Sequence, residues 1–216
     1  MIVALAAASC SSGPQPIEDA ATYQSRIEEK RAAKDKSFRA MASDSSIPND
    51  QKPVPSDKRD DLLPLLYFPV YPRYNVPSSL MVAEAQPEYE MPTSTGRLRK
   101  MRQVGVLEFS LEGQPLTLGA FVDATTADLR QLFVPFSDLT TGKETYDAGR
   151  YLDIDRTATG IYAIDFNDAY NPYCAYNATY DCPFPPPANR LKIRVQAGER
   201  VKARAGGPAA PPGQAR

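Results

Sequence analysis

A chain of 216 residues with 25 Lys and Arg against 26 Asp and Glu carries a net charge of −1, which excludes a general nucleic-acid binder and leaves room for one domain with an appendage. Histidine is absent, which removes Ser-His-Asp and Cys-His catalysis and every His-ligated metal site, so neither metal nor cofactor is expected. Hydrophobic residues at 42% and charged residues at 24% are ordinary for a globular protein, while 21 Pro mark extended stretches of loop.

The chain begins "MIVALAAASCSSGPQP". A short apolar run, Ile2 to Ala8, leads through small residues to Cys10 and then to a polar, Pro-containing tether over 10–16. The pattern resembles the end of a bacterial lipoprotein signal peptide spanning 1–9, with Cys10 as the lipidated residue. It departs from that pattern at Ala7, where Leu is more usual, and in having no Lys or Arg before the run. A start assigned too far downstream would account for the missing basic residues. The run is far short of the roughly 20 apolar residues that a membrane-crossing helix needs. The expectation is a protein anchored by lipid to a membrane and facing the cell envelope, outside the cytoplasm.

Residues 17–42 are rich in Ala, Glu, Lys and Arg without Pro or Gly, and predict a helix. Ile17, Ile27, Phe38 and Met41 fall near one stripe, but Gln24, Arg31 and Lys34 interrupt it. This predicts a largely solvated helix that docks at one end through Phe38. Residues 43–61 hold Pro48, Pro53 and Pro55 and read as loop.

From Leu62 the pattern turns to β structure, expected over 62–200. "LLPLLYFPVYPRYNVPSSLMV" reads as short extended pieces. Val104, Val106 and Phe109, then Leu116, Leu118 and Ala120, flank Glu112-Gly113-Gln114 and predict a hairpin. "LRQLFVPFSD" and "GIYAIDFN" predict further strands. So does "NRLKIRV", where Leu191, Ile193 and Val195 alternate with Lys192 and Arg194. Residues 201–216 read as a disordered tail. The expected fold class is mainly β: one antiparallel β-sandwich or partly closed barrel, preceded by the N-terminal helix.

Three weaker motifs accompany these elements. "DIDRTATG" faintly resembles a calcium loop but lacks the further carboxylates of one. Asn177-Ala178-Thr179 is a formal glycosylation sequon. Arg97, Arg99, Lys100 and Arg102 form either an anion-contacting cluster or a solvated strand face.

The ordered series F-x-D-x-T-x-G-x-x-T-Y-x-x-G-R-Y-L falls on Phe136, Asp138, Thr140, Gly142, Thr145, Tyr146, Gly149, Arg150, Tyr151 and Leu152. D-F-N-x-A-Y-N-P follows on Asp165 to Pro172, then "CPFPP", "NRL" and "AGER". Over about Leu62 to Arg200 the chain resembles the bacterial family known as domain of unknown function 1684. The resemblance implies a compact, mainly β domain, often on exported or lipid-anchored proteins, and implies no activity.

Within this stretch the candidate polar site is Asp138, Glu144, Arg150, Asp165, Asn167 and Asn171. A guanidinium among carboxylates either binds a polar ligand, perturbs one carboxylate into an acid or base, or serves as a partly buried staple. Two carboxylates at suitable separation hydrolyse glycosidic bonds without histidine. The candidate binding loop carries Tyr170, Tyr173, Tyr176 and Tyr180, with Tyr162 nearby. Its flat amphipathic rings suit carbohydrate or peptide contacts, or pack over the barrel edge as a lid. With Cys10 lipidated, Cys174 and Cys182 form an even pair, expected as a disulfide worth roughly 2–3 kcal/mol. The functional expectation is an envelope lipoprotein with a non-catalytic binding or structural role and a polar envelope ligand. The alternative is a carboxylate-dependent hydrolase acting on an envelope polymer.

Overall fold

The computed structural model describes residues 18–126, 130–156 and 161–202. The leader, Cys10 and tether, most of the tail, and the end of the calcium-like motif lie outside the described residues. Helix α1 (Ala20–Ser43) starts at Asp19, whose carboxylate accepts the Ala21 and Thr22 amides at 2.9 and 3.0 Å. That satisfies two of the amide groups a helix start leaves unpaired.

The helix is docked along its length, which corrects the expectation of one-ended docking. Tyr23, Ile27, Phe38 and Ala42 are buried on one face. Arg31 and Lys34 fill the gap between Ile27 and Phe38 on that same face. Arg31 lies over the Tyr67 ring at 4.5 Å and donates to the carbonyls of Phe68 (2.9 Å) and Asn167 (3.2 Å). A long basic side chain packs its stem against apolar surface and spends its head on carbonyls, so it extends the docking face rather than breaking it. The loop after α1 is also ordered. Lys52 and Ser56 close the helix end, Ser56 Oγ donating to the Ala42 carbonyl at 2.7 Å and Lys52 Nζ to Ser56 Oγ at 2.7 Å. This sets a cation at the negative end of the helix. A one-turn helix α2 (Arg59–Leu62) then leads into the β domain.

The strands are β1 (Leu66–Tyr67), β2 (Asn75–Val82), β3 (Glu88–Pro92), β4 (Leu98–Leu111), β5 (Gln114–Asp123), β6 (Gln131–Phe136), β7 (Arg150–Asp155), β8 (Tyr162–Asp165) and β9 (Glu199–Arg200). The main antiparallel sheet runs β7-β6-β5-β4-β2-β8, with β3 beside β4. Bridges from Arg156 to Tyr162 and from Tyr151 to Tyr170 bring the two ends together, so the sheet is nearly closed into a barrel. β4 and β5 form the predicted hairpin. Leu111 pairs with Gln114, and Glu112 and Gly113 take φ of 51° and 77°. Both turn residues lie in the left-handed region, as a two-residue hairpin turn matched to strand twist requires. A bulge between Gln103 and Gly105 reverses the facing of β4. Met101 therefore packs outside with Met91 and Phe121, while Leu107 packs inside.

The barrel interior is filled by side chains from every long strand, including Leu107, Leu118, Val134, Leu152 and Ile164. The predicted strand at "NRLKIRV" is instead an extended segment outside any ladder, although Leu191, Ile193 and Val195 do alternate inward. It runs beside 137–139, with Leu191 N–H donating to Ser137 O at 2.8 Å and Leu139 N–H to Ile193 O at 2.9 Å. Alternation reports which side chains are buried; it does not report what the backbone bonds to.

Candidate functional site

Arg150 opens β7 directly after Gly149, whose φ is +91°. A Cβ at Gly149 would lie 2.6 Å from the Phe136 carbonyl oxygen and 2.7 Å from Pro185 Cγ. Glycine is the residue that lets the chain turn there. The turn delivers Arg150 into the barrel end, where the residue is 1% exposed. Nη2 donates to Asp138 Oδ2 at 2.6 Å and to the Val195 carbonyl at 2.9 Å. Nη1 donates to the carbonyls of Ala197 and, at 3.4 Å, Glu199. These carbonyls alternate along the C-terminal segment leading into β9, so one guanidinium ties that segment to β7. Asp138 is held in turn by the Thr140 amide and hydroxyl. Burial pulls the guanidinium below its ordinary pKa, and the Asp138 charge opposes that shift.

Glu144 and Asp165 stand apart from this pair. Glu144 pairs with Arg194 at the surface. Asp165, at the end of β8, accepts Tyr23 Oη from α1 at 2.8 Å on both oxygens. Asn167 clasps the backbone of Tyr71, accepting its amide at 3.1 Å and donating to its carbonyl at 2.9 Å. Asn171 donates through its backbone amide to Glu199 Oε2 at 2.8 Å and through Nδ2 to the Arg200 carbonyl at 3.2 Å. The six polar residues thus form several separate contacts rather than one open cleft.

Burial raises the Asp165 carboxyl above its usual 3.8, while the Tyr23 bond holds it down. A carboxyl raised on folding contributes stability that is fully present below its unfolded value and is lost as the pH rises through its folded value. Tyr23→Phe should therefore move the Asp165 titration further up, read from its carboxyl carbon by NMR. An unmoved titration would refute the coupling.

Two buried residues outside the sequence-predicted set hold more of the structure. Glu199, 1% exposed, receives Lys34 Nζ and Tyr176 Oη, with the Asn171 amide on Oε2 and Tyr67 Oη at 3.4 Å on Oε1. It joins α1 to the barrel. Asn189 donates to the carbonyls of Gly119 (2.9 Å) and Pro135 (2.7 Å) and accepts the Gly119 amide at 2.7 Å. Its amide acts as a peptide unit between β5 and β6, which pair directly only at Phe121 and Phe133. Their presence within "AGER" and "NRL" was the one available signal.

Cys174 and Cys182 are free, which corrects the expected disulfide. The Cys174 amide donates to Cys182 Sγ at 3.2 Å, and Tyr146 Oη reaches Cys174 Sγ at 3.8 Å. Short helical turns and side-chain bonds hold the segment instead. Asn177 Nδ2 donates to the Asn49 and Lys52 carbonyls at 2.9 and 2.8 Å, and Tyr180 Oη to the Gln51 carbonyl at 2.7 Å.

The tyrosines divide by role. Tyr162 and Tyr176 are buried. Tyr170, Tyr173 and Tyr180 line a cavity of about 590 Å³ on the outer side of β6 and β7, together with Phe38, Phe133 and Tyr151. Lys34, Arg99, Asp153 and Asp181 supply its charges. Tyr173 is 39% exposed and meets Tyr180 edge-on at 5.0 Å. Partial burial raises the Asp153 carboxyl, against the bond from Tyr170 Oη at 2.8 Å. Bonds from the Thr93 and Thr95 side chains lower the Asp181 carboxyl. Asp155, next along that face of β7, accepts Gln131 Nε2 at 3.2 Å. Among the described residues no cluster of three carboxylates or thiols is placed to hold a metal, and no helix is long and apolar enough to cross a membrane.

The chain is similar to an uncharacterized protein of Haloarcula marismortui solved by solution NMR. The identity is 37% and the TM-score 0.63, over 85% of this chain and 97% of that one. The likeness is therefore not confined to bacteria. No curated protein matches. The model of the family described as "Protein of unknown function (DUF1684)" matches residues 62–200, which span β1 to β9, the Arg150 contacts, Asn189 and Glu199. The chain belongs to the DUF1684 family.

Proposed function

We propose that this protein is a non-catalytic binding protein of a bacterial cell envelope, held to a membrane by lipid on Cys10, with the tyrosine-lined cavity as its ligand seat. The supporting observation is the cavity itself. At about 590 Å³ it falls within the roughly 300–1,000 Å³ of small-molecule sites, and six aromatic rings line it beside four charged side chains. The walls are also braced. Phe133 meets Tyr151 at 4.8 Å, Tyr151 meets Tyr170 at 5.8 Å, and Phe38 of α1 meets Tyr173 at 5.8 Å. A braced wall loses little side-chain freedom on binding.

The test is native mass spectrometry of the full protein drawn gently from its own envelope. A bound mass is expected, and Tyr173→Ala, at an exposed position, should lose it. No bound mass, or one that Tyr173→Ala retains, would overturn the cavity as the seat. Anchoring has its own check. Cys10→Ser should move the protein from the membrane to the soluble fraction and abolish metabolic lipid labelling. Unchanged fractionation and labelling would dismiss the lipoprotein reading.

The hydrolase alternative moves to different residues. Asp138 is consumed by Arg150, but Asp153 and Asp181 share the cavity with pKa values displaced in opposite directions. Carboxylates separated in this way supply an acid and a base. Turnover of an envelope polymer that both Asp153→Asn and Asp181→Asn abolish would favour catalysis over binding.

A further inference from the structure

We infer that the cavity takes a neutral saccharide, one sugar ring lying on the aromatic wall with its hydroxyls on Asp153 and Asp181; the inference rests on the cavity being the ligand seat. Charge argues first. The lining carries two cations, Lys34 and Arg99, and two carboxylates, Asp153 and Asp181. Lys34 is committed to the buried Glu199 and lies 5.1 Å from the Tyr170 ring centre and 5.2 Å from that of Phe38. Its ammonium already fills the position over those faces that a ligand cation would seek. Arg99 Nη2 is committed to the Asp181 carbonyl at 2.9 Å. An ionic ligand would meet a like charge for each unlike one, whereas a neutral ligand meets no such penalty.

Hydrogen bonding argues next. An ionised carboxylate has about four acceptor positions. One on Asp153 is taken by Tyr170 Oη, and Asp181 accepts Thr95 Oγ1 at 2.6 Å on Oδ1 and is engaged by Thr93 as well, which leaves Asp153 the freer of the two. The remaining positions accept hydroxyl protons, and a sugar ring offers several close together. Backbone pairing argues against an extended peptide. β6 is paired along its length by β7 and meets β5 at Phe121–Phe133, where Asn189 also joins the two strands, and the far side of β7 is bridged at Tyr151–Tyr170 and Arg156–Tyr162. Strand addition beside the cavity would have to fit into the short stretch of β7 between those two bridges, too short for an extended peptide to pair along. What remains suits a ring with apolar C–H faces and hydroxyl edges, because a tyrosine face takes the first and the carboxylates take the second.

The test titrates the full chain, labelled at its Tyr and Phe rings, and follows the ring signals by NMR. The neutral probes are chitotetraose, cellotetraose and maltotetraose. Tetragalacturonate serves as the anionic probe and tetra-alanine as the peptide probe. At least one neutral tetrasaccharide should shift the Tyr173 and Phe133 rings saturably, and Tyr173→Ala and Asp153→Asn should each weaken it at least tenfold with the amide spectrum otherwise intact. Ring shifts from tetragalacturonate or tetra-alanine alone would overturn the saccharide class while leaving the cavity as the seat. Ring shifts from no probe would overturn the saccharide class too, and the native-mass experiment decides the seat independently.

Discussion

Arg150→Met should destabilise the domain by roughly 3–5 kcal/mol, the range for removing one partner of a buried ion pair. The side chains of Arg150 and Asp138 are 1% and 0% exposed, so methionine strands a carboxylate with no route to water. The C-terminal segment also loses the donor that holds its carbonyls at Val195, Ala197 and Glu199. Replacing both partners, Arg150→Met with Asp138→Leu, should recover much of the loss, because the stranded charge disappears. Arg194→Met provides the contrast. Arg194 also pairs with a carboxylate, Glu144, but at 46% and 28% side-chain exposure the pair is worth about 1 kcal/mol or less. Urea unfolding of the four proteins checks the series, with the midpoint moving while the slope stays fixed. An Arg150→Met protein of ordinary stability would refute the staple and return Arg150 to the candidates for ligand contact.

The legibility of this fold in its sequence followed the kind of interaction involved. The β4–β5 hairpin was readable because side-chain alternation and Glu112-Gly113 encode it locally. The inward set Leu191, Ile193 and Val195 was readable for the same reason, yet its status as a strand was not. A ladder needs a continuous strand partner, and here the partner is the short turn-bound segment 137–139 with one side chain, Arg150, beyond it. Arg31 and Lys34 read as interruptions because a hydrophobic stripe scores the head group, whereas docking used the stem and sent the head to carbonyls and to Glu199. Glu199 and Asn189 have no local signature, since their partners lie 23 to 165 positions away. The polar residues grouped around Arg150 share a sequence neighbourhood without sharing a place. Arg150 turns into the barrel end, Glu144 meets Arg194 at the surface and Asp165 turns toward α1. The tyrosine segment gave composition without orientation, so the split between buried Tyr176 and cavity-lining Tyr173 came only with the fold.

The helix–barrel joint should fail asymmetrically. Lys34→Met leaves Glu199, 1% exposed, without its cation, and should cost roughly 3–5 kcal/mol as any buried unpaired charge does. Glu199→Gln leaves the opposite charge stranded, but the Lys34 side chain keeps a quarter of its exposure and can turn to water. The glutamine oxygen in the Oε2 position can still accept both the Asn171 amide and Tyr176 Oη, so its cost should be smaller, about 1–2 kcal/mol. The double variant should fall below the sum of the two, because the charge each single change leaves behind is absent. Hydrogen exchange locates the loss. In Lys34→Met the amides of Ala20–Ser43 should exchange faster while those of β4 and β5 hold, because the barrel interior is closed by its own side chains. An equal or reversed order of the two single variants would mean that α1 is held by its apolar contacts at Tyr23, Ile27 and Phe38, and that the Lys34–Glu199 pair adds nothing to it. Uniformly faster exchange would mean that helix and barrel unfold as one unit. The same measurement bears on the ligand seat, since Lys34 and Phe38 form the wall of the cavity that α1 contributes. A detached helix opens that wall, so Lys34→Met should also weaken any ligand that Tyr173→Ala weakens, even one that touches neither side chain's polar atoms.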